Sequence, residues 1–229
     1  KVVEPGYAWI RLSQFQERTV DDFVRKVEEV YKQEPNLKGL VLDLRNDPGG
    51  LLDAAVAVSA AFLPENVTVV TTNGQLADSK ATYKASPDFY QRRGGGDPLR
   101  RLPAALKSVP LVVLVNEGTA SASEIVSGAI QDYERGKLVG VTTYGKGSVQ
   151  NLYPLDRYAI GQDPGYGQLT VTIGMYYRVT GDSTQNRGVQ PDIRLPSAIS
   201  PEEVGESSRD AALPWNRIRP APFKREGSL

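Results

Sequence analysis

Short apolar runs alternate with helical patterns along most of this sequence, and this alternation limits the fold more than any other feature. The run Leu111–Val115 is apolar throughout and predicts a buried strand, and a helix is predicted after the polar turn that follows it. Repeated strand-helix pairs favour an α/β core with parallel pairing, and a long β pattern late in the chain adds antiparallel strands. The predicted strands are 6–12, 37–44, 67–72, 111–115, 137–141 and 168–180, and the predicted helices are 19–33, 51–62 and 125–133.

The composition excludes several kinds of chemistry, because the sequence contains neither histidine nor cysteine. A Ser-His-Asp mechanism, a thiolate nucleophile, a disulfide and a Cys-ligated zinc site are therefore impossible. General acid-base catalysis would therefore need a side chain of Asp, Glu, Lys or Tyr. For a serine or threonine nucleophile, a neutral lysine is the leading candidate for the base. Lys plus Arg and Asp plus Glu each total 27, so the charge balance implies neither nucleic acid nor a membrane surface as partner.

The chain divides into two parts by its patterning. We expect residues 1–198 to form the α/β core and residues 199–229, where proline and charge rise and periodicity fails, to form a docked or frayed tail. No apolar run approaches the ~20 residues of a membrane span. The sequence begins at Lys1 without a methionine, so we expect a processed or truncated piece of a longer protein.

A serine-rich turn carries the first candidate site. It reads Asn-Glu-Gly-Thr-Ala-Ser-Ala-Ser-Glu over residues 116–124, between a predicted strand and a predicted helix. Backbone N–H groups in the first turn of a helix have no partner within the helix, so they can bind a substrate oxygen beside a nucleophilic Ser121. Ser and Thr are also preferred helix caps, and Thr119 or Ser121 could serve only that role. The turn alone leaves both interpretations open.

Lys146 is the lysine best suited to act as the base. It lies between Gly145 and Gly147, whose lack of side chains lets another segment pack closely. A lysine base must be neutral, and burial disfavours the ammonium form, so a dry site is expected. The competing interpretation is an ordinary surface turn. Gln150 is placed to orient the lysine or to bind substrate backbone, unless it is only a polar residue at a strand edge.

The same lysine also ends a G-x-x-x-x-G-K pattern over residues 140–146, which is typical of a phosphate-binding loop. Gly147 stands where that motif requires Ser or Thr to hold magnesium. The residues that follow predict a strand, so no helix N-terminus would receive the phosphate. We therefore set the phosphate-binding interpretation aside.

Two further positions are weaker candidates. Gly49 and Gly50 lie between a predicted strand and helix and would let backbone approach a ligand, although a tight turn alone would explain them. Asp132 lies 11 residues after Ser121 (132 − 121) and so shares its helix face. It lies about 16 Å further along the axis, which is too far for contact. Asp132 would act through another segment or by holding the fold, and the structural role is favoured.

Four ordered motifs resemble those of the carboxyl-terminal processing (tail-specific) serine proteases. They are Asp-Leu-Arg-Asn-Asp-Pro-Gly-Gly at 43–50, Gly-Thr-Ala-Ser-Ala-Ser-Glu at 118–124, Gly-Lys-Gly-Ser-Val-Gln at 145–150 and Gly-Val-Gln-Pro-Asp at 188–192. The resemblance extends over about residues 6–196 and implies a crotonase-like α/β core. It implies a Ser-Lys dyad and an oxyanion hole, with Ser121 as nucleophile, Lys146 as general base, Gln150 positioning the lysine, and Gly50 and Ala122 as backbone donors. Asp132 matches an aspartate sometimes assigned to a catalytic relay.

The resemblance also implies partners and a location. Family members cleave protein substrates near their C-termini without metal or cofactor, and the bacterial ones work in the periplasm, often tethered to the inner membrane. An adaptor lipoprotein is a candidate partner. A PDZ domain usually precedes the segment that starts here, and nothing before Gly6 has room for one, so we expect a protease core without it. Two alternatives stay open: a non-catalytic peptide-binding module on the same fold, and a Ser-Lys amidase acting on small amides.

Overall fold

The computed structural model describes residues 1–92, 94–158, 165–199 and 201–225, and within them ten strands form two sheets. The first sheet has six strands in the order β1-β2-β3-β6-β7-β10, and the second has four in the order β5-β4-β9-β8. The strands are β1 Val2–Glu4, β2 Tyr7–Arg11, β3 Gly39–Asp43, β4 Thr68–Asn73, β5 Ala81–Lys84, β6 Leu111–Val115, β7 Lys137–Gly140, β8 Ser148–Pro154, β9 Gln168–Tyr177 and β10 Ile193–Arg194.

The six-stranded sheet is parallel except for the pair β1 and β2. In its centre, Leu42 of β3 lies opposite Val113 of β6, and both side chains are fully buried. Near-continuous apolar runs such as Leu111–Val115 are typical of parallel strands, because helices or a second sheet cover both faces. The predicted α/β core of strand-helix repeats with additional antiparallel strands is therefore confirmed.

Three longer helices accompany the sheets. They are α1 Thr19–Gln33, α2 Leu52–Phe62 and α3 Ala122–Asp132, and a short α4 covers Pro201–Val204. Helix α1 buries one face through Phe23, Val24, Val27 and Val30, as its period of three and four predicts. Every residue of α2 from 54 to 62 is buried, since its many alanines let α1 and α3 pack closely against it.

The four-stranded sheet is antiparallel throughout. The sequence pattern predicts no strand in residues 80–101, yet β5 lies there and pairs with β4. Tyr83 and Phe89 of this segment make an edge-to-face ring contact and pack against the core. These two aromatic side chains hold the segment against the core. The glycines and prolines around them interrupt the pattern that would otherwise predict a strand. Strand β9 ends at Tyr177, three residues earlier than predicted, because a turn at Gly181 (φ 86°) follows.

The site lies where β3 and β6 end. Parallel neighbouring strands bring their carboxyl ends to the same edge of a sheet, which is where α/β proteins place ligands. The turn after β3 and the turn after β6 are joined there by Asn46 N–H donating to Asn116 Oδ1 at 2.8 Å and by Ala120 N–H donating to the Asp47 carbonyl at 2.9 Å. The glycine pair and the serine turn, distant in sequence, are therefore adjacent.

The C-terminal segment lies against the core. Trp215 Nε1 donates to the Ser183 carbonyl at 2.9 Å, and the Arg187 guanidinium stacks 3.4 Å from the Trp215 ring centre. Further along, the Phe223 ring meets Tyr133 edge-on with centroids 5.9 Å apart. Residues 200 and 226–229 of the predicted tail lie outside the described residues. Among the described residues, no helix has both the length and the apolar character that a membrane crossing requires.

Candidate active site

Ser121 directly precedes α3 with an unusual backbone conformation, φ 56° and ψ −114°. An ordinary helix cap has β-region angles. A positive φ in a residue with a side chain costs on the order of 1–3 kcal/mol and persists only where the surroundings impose it. Here the Ser121 N–H donates to Glu124 Oε2 at 2.9 Å, and its carbonyl accepts from the Tyr176 hydroxyl at 3.1 Å. Ser121 is therefore held by Glu124 and Tyr176 in a strained conformation that an ordinary helix cap does not have.

Two backbone donors beside Ser121 are free. In the part of the chain that the structure describes, the N–H groups of Gly50 and Ala122 donate to no other protein group. Both residues line the cavity that contains Ser121. A Cβ at Gly49 would lie 2.7 Å from the Ala122 nitrogen and 2.9 Å from Ser121 Cβ. Only glycine therefore lets this loop lie against the serine, and the free donors suit an oxyanion hole.

Asp47 holds the glycine loop in place. Its Oδ1 accepts from the Gly49 N–H at 2.9 Å, and its carbonyl accepts from the Ser123 hydroxyl at 3.0 Å. The side chain is fully buried, and this burial raises the pKa of Asp47 to about 6, while the Gly49 N–H opposes the rise. Asp47 thereby connects the loop of Gly50 to the turn of Ser121.

Lys146 lies in the loop between β7 and β8. Its neighbours Gly145 and Gly147 are buried, whereas Lys146 itself is half-buried and lines an open cleft. The expected dry site is therefore only partly present, because the side chain leaves the glycine turn toward the cleft. Lys146 Nζ donates to Gln150 Oε1 at 3.4 Å. Among the described contacts, no hydrogen bond joins Nζ to Ser121 Oγ.

The Glu124 carboxylate joins the backbone of Ser121 to that of Lys146. Oε2 accepts from the N–H groups of Ser121 and Lys146, both at 2.9 Å. Oε1 accepts from the Thr143 hydroxyl at 2.5 Å and from the Gly145 N–H at 2.8 Å. The side chain is fully buried, and this burial raises the pKa of Glu124 to about 7, against the effect of its four donors.

The Tyr176 hydroxyl joins the same two residues through their carbonyls. It donates toward the Lys146 carbonyl at 2.8 Å and the Ser121 carbonyl at 3.1 Å, and it accepts from the Thr184 hydroxyl at 2.9 Å. Tyr176 is buried in β9, and burial raises its pKa well above the ordinary value. We call Glu124 and Tyr176 the backbone clamp, because together they fix the turn of Ser121 relative to the loop of Lys146.

Sequence reasoning missed both members of the backbone clamp. A signal for Glu124 was present, since Ser121 and Glu124 have the Ser-x-x-Glu spacing of a capping box. That pattern predicts a bond to the Ser121 N–H but not the bonds to the lysine loop. Tyr176 gave no signal, because a tyrosine in a strand is ordinary and its hydroxyl partners come from two distant turns.

Asp132 lies at the far end of α3 and forms an ion pair with Arg178. Arg178 Nη2 donates to Oδ1 at 2.6 Å, and Nε donates to Oδ2 at 3.0 Å. The Asp132 side chain is 5% exposed, and burial raises its pKa while Arg178 opposes the rise. The described contacts of Asp132 include neither Ser121 nor Lys146, so this carboxylate anchors α3 to the end of β9.

Replacing Asp132 with asparagine is expected to lower the free energy of unfolding by about 3 kcal/mol, because Arg178 loses its buried partner. The kcat of the folded protein should change little, since Asp132 lies far from the serine. Urea unfolding and peptide-cleavage kinetics on the same preparation measure the two effects. A large fall in kcat with unchanged stability would instead assign Asp132 to a catalytic relay.

The cavity beside Ser121 has a volume of about 660 Å³. Its walls combine the serine, the lysine and the two free donors with apolar side chains, including Phe15, Leu52, Ile125 and Leu152. Among the described residues, no cluster of Asp or Glu side chains could hold a metal ion. The arrangement brings together a hydroxyl, an amine and unpartnered N–H groups in one cleft, as acyl transfer requires.

Comparison with known proteins places the chain among peptidases. A family model described as peptidase family S41 matches residues 6–195. A carboxy-terminal-processing protease of Bartonella bacilliformis is 38% identical over 193 residues, which are 83% of this chain and 39% of that protein. A tail-specific protease of Haemophilus influenzae is 34% identical over 230 residues, covering 100% of this chain and 30% of that protein.

A solved structure gives the same assignment. A photosystem II D1 C-terminal processing protease is 32% identical with a TM-score of 0.60, over 85% of this chain and 42% of its own. The chain therefore spans less than half the length of each of these three proteins.

Proposed function

Because the chain belongs to peptidase family S41, we propose that it is the catalytic core of a serine endopeptidase that cleaves protein substrates near their C-termini. Ser121 is the nucleophile and Lys146 the general base, and the core comprises residues 1–198. The observation that carries this assignment is the backbone clamp. Glu124 and Tyr176 each bond to both Ser121 and Lys146, and no ordinary turn needs such a connection.

The reaction follows from the groups in the cleft. Lys146, in its neutral form, takes the Ser121 hydroxyl proton as Oγ forms a bond to the scissile carbonyl carbon. The N–H groups of Gly50 and Ala122 stabilise the oxyanion, and losing one such donor typically costs about a hundred-fold or more in kcat. The ammonium of Lys146 then gives its proton to the leaving amine as the C–N bond breaks. Water, deprotonated by the same lysine, then attacks the ester carbon, and the bond between that carbon and Oγ breaks as the lysine ammonium returns its proton to Oγ.

Gln150 positions the lysine in this scheme. Its Oε1 accepts from Lys146 Nζ at 3.4 Å, and its Nε2 donates to Thr172 Oγ1 at 3.4 Å. The amide thereby connects the lysine to β9. Rotation of Lys146 from Gln150 toward Ser121 forms the working dyad when substrate fills the cleft and excludes water.

Covalent trapping tests the nucleophile. A fluorophosphonate probe is expected to label the wild-type chain at Ser121, identified by peptide mass mapping, and the protein is expected to cleave an unstructured peptide with a free C-terminus. Ser121→Ala should lose both properties, whereas Ser108→Ala, which changes an exposed serine outside the cavity, should keep both. Absence of labelling and cleavage in the folded wild-type chain would favour the non-catalytic binding module, and cleavage confined to small amides would favour the amidase.

The location and partners follow the bacterial tail-specific proteases that the sequence resembles. We place the protein in the periplasm, acting on protein or peptide substrates through their C-termini, with an adaptor lipoprotein as a candidate partner. Fractionation of cells that produce the protein, with a periplasmic and a cytoplasmic marker enzyme, tests the location.

A further inference from the structure

A second cavity, of about 620 Å³, opens beyond Lys146, and the C-terminal segment forms one of its walls. We call it the tail-walled cavity. Lys146, Ser148 and Gln150 line both this cavity and the one that contains Ser121, so the two meet at the lysine. The tail contributes Glu206, Arg209, Ala211 and Leu213, all of which lie beyond the end of the family match at residue 195.

Hydrogen bonds hold this wall in place. The Glu206 N–H donates to the Tyr144 carbonyl at 2.9 Å. The Leu213 carbonyl accepts from Gln185 Nε2 at 3.1 Å and from Asn186 Nδ2 at 2.9 Å. Gln185 is itself fully buried, and its Oε1 accepts from the Gly147 N–H at 2.9 Å. The tail is thus fixed through Gln185 to the loop that carries Lys146.

The chemistry of the reaction says which part of a substrate enters this cavity. This assignment of the substrate rests on the proposed peptidase function. The acyl half of the substrate must lie beside Ser121 with its carbonyl oxygen on the free donors, and these line the first cavity. The leaving amine must lie within reach of Lys146, which protonates it. The fragment released from the C-terminal side therefore extends past the lysine into the tail-walled cavity.

Arg209 supplies a fixed positive charge to that cavity. Its Nε donates to the Tyr144 hydroxyl at 3.3 Å, and the rest of the guanidinium is exposed. Glu206, the one carboxylate among the described lining residues, directs Oε1 toward Gln185 Nε2 at 3.4 Å. A guanidinium binds a carboxylate through two parallel hydrogen bonds.

We propose that the tail-walled cavity binds the C-terminal fragment of the substrate and that Arg209 pairs with its terminal carboxylate. The tail is then a part of the substrate-binding cleft, and Arg209 is a specificity-determining residue. A fragment that ends in an amide would lose this pairing, as would a carboxylate too far from the scissile bond to reach Arg209.

Binding to an inactive chain tests this proposal without turnover. The Ser121→Ala protein is titrated with fluorescently labelled peptides that differ only in a free or an amidated C-terminus, placed a few residues after the expected cleavage point. We expect the free acid to bind about three- to tenfold more tightly at low salt, and added salt to reduce the difference. Adding Arg209→Gln should equalise the two affinities, while adding Arg217→Gln should not, because Arg217 pairs with Asp182 (N···O 3.6 Å) outside the cavity.

Each other outcome counts against the proposal. Equal binding of acid and amide by the Ser121→Ala protein, a preference that survives Arg209→Gln, or binding of neither peptide would overturn it. Cleavage kinetics of the chain with Ser121 intact show whether only the carboxylate subsite is wrong or whether the peptidase function is wrong as well. Cleavage of both peptides at equal efficiency would leave the peptidase in place and remove the carboxylate subsite.

Discussion

Replacing Lys146 with alanine is expected to lower kcat for peptide cleavage by about 10²–10⁴-fold, the usual contribution of a positioned general base. The sequence has no histidine to replace it, and Asp47 and Glu124 are both fully buried, with Asp47 Oδ1 and both Glu124 oxygens accepting from backbone N–H groups. Lys146 is the one base that the proposed mechanism assigns to Ser121, so its loss leaves the hydroxyl without its proton acceptor. The fold should persist, because the loop is held by backbone bonds of residues 144–147 rather than by the lysine amine.

Steady-state kinetics on a fluorogenic peptide measure this loss, with thermal unfolding as the check on folding. Lys137→Ala is the matched control, because Lys137 is an exposed lysine at the start of β7. Its kcat should equal that of wild type. Turnover close to wild type in the Lys146→Ala protein would mean that another group is the base.

Replacing Glu124 with glutamine is expected to produce the second large effect. The four partners of the carboxylate are all donors, and an amide offers one oxygen and a nitrogen that is itself a donor. Whichever way the amide turns, two buried N–H or O–H groups lose their acceptor, at about 1–3 kcal/mol each. The turn of Ser121 and the loop of Lys146 then separate, and a displacement of about 1 Å is enough to lower kcat roughly a hundred-fold.

The pH dependence of stability gives this prediction a second readout. The folded-state pKa of Glu124 is about 7, above the ordinary value of 4.5, so the unfolded chain releases this proton first as pH rises. The free energy of unfolding therefore falls between about pH 4.5 and 7 from this group and is level above that. The kcat for peptide cleavage should instead rise with pH over the same range. The protonated carboxyl group of Glu124 has only donors around it, so it cannot accept all four hydrogen bonds.

Urea unfolding and cleavage kinetics across that pH range test Glu124→Gln against Glu134→Gln, which changes a partly exposed glutamate after the end of the same helix. Only the Glu124 variant should lose part of the fall in the free energy of unfolding, chiefly between about pH 6 and 7, because Asp47, whose pKa is about 6, still contributes at lower pH. Tyr176→Phe provides a milder test if Glu124→Gln does not fold, because it removes one hydroxyl with its bonds to the two carbonyls and to the Thr184 hydroxyl. Full activity in both clamp variants would show that the connection between serine and lysine is not needed.

The sequence predicts much of the fold because the apolar periods are strong. Runs such as Leu111–Val115 and the one-sided helix 19–33 are visible without any partner. Strand β5 was missed because it has only four residues, Ala81–Lys84, and alternates weakly between half-buried and exposed positions. Such an edge strand is specified by its neighbour β4, with which it pairs.

The candidate site was only partly predictable, for a related reason. Ser121 and Lys146 are recognisable because glycine and small residues surround both. The connection between them depends on Glu124 and Tyr176, whose partners are brought together only when β9 packs behind both turns. The tail was expected to be docked or frayed, but its approach to Lys146 depends on buried Gln185, a residue whose role no local pattern indicates.

We expect Ser121 and Lys146 to work as one unit beside the donors of Gly50 and Ala122. A crystal structure of the chain treated with a peptidyl boronic acid tests it most directly. We expect boron bonded to Ser121 Oγ, one boronate oxygen about 2.7–3.1 Å from both backbone nitrogens, and Lys146 Nζ moved from Gln150 to within hydrogen-bond distance of Oγ. An adduct on Ser121 with Lys146 Nζ still bonded to Gln150 and remote from Oγ would show that the lysine is not the base. An adduct on another residue would show that Ser121 is not the nucleophile.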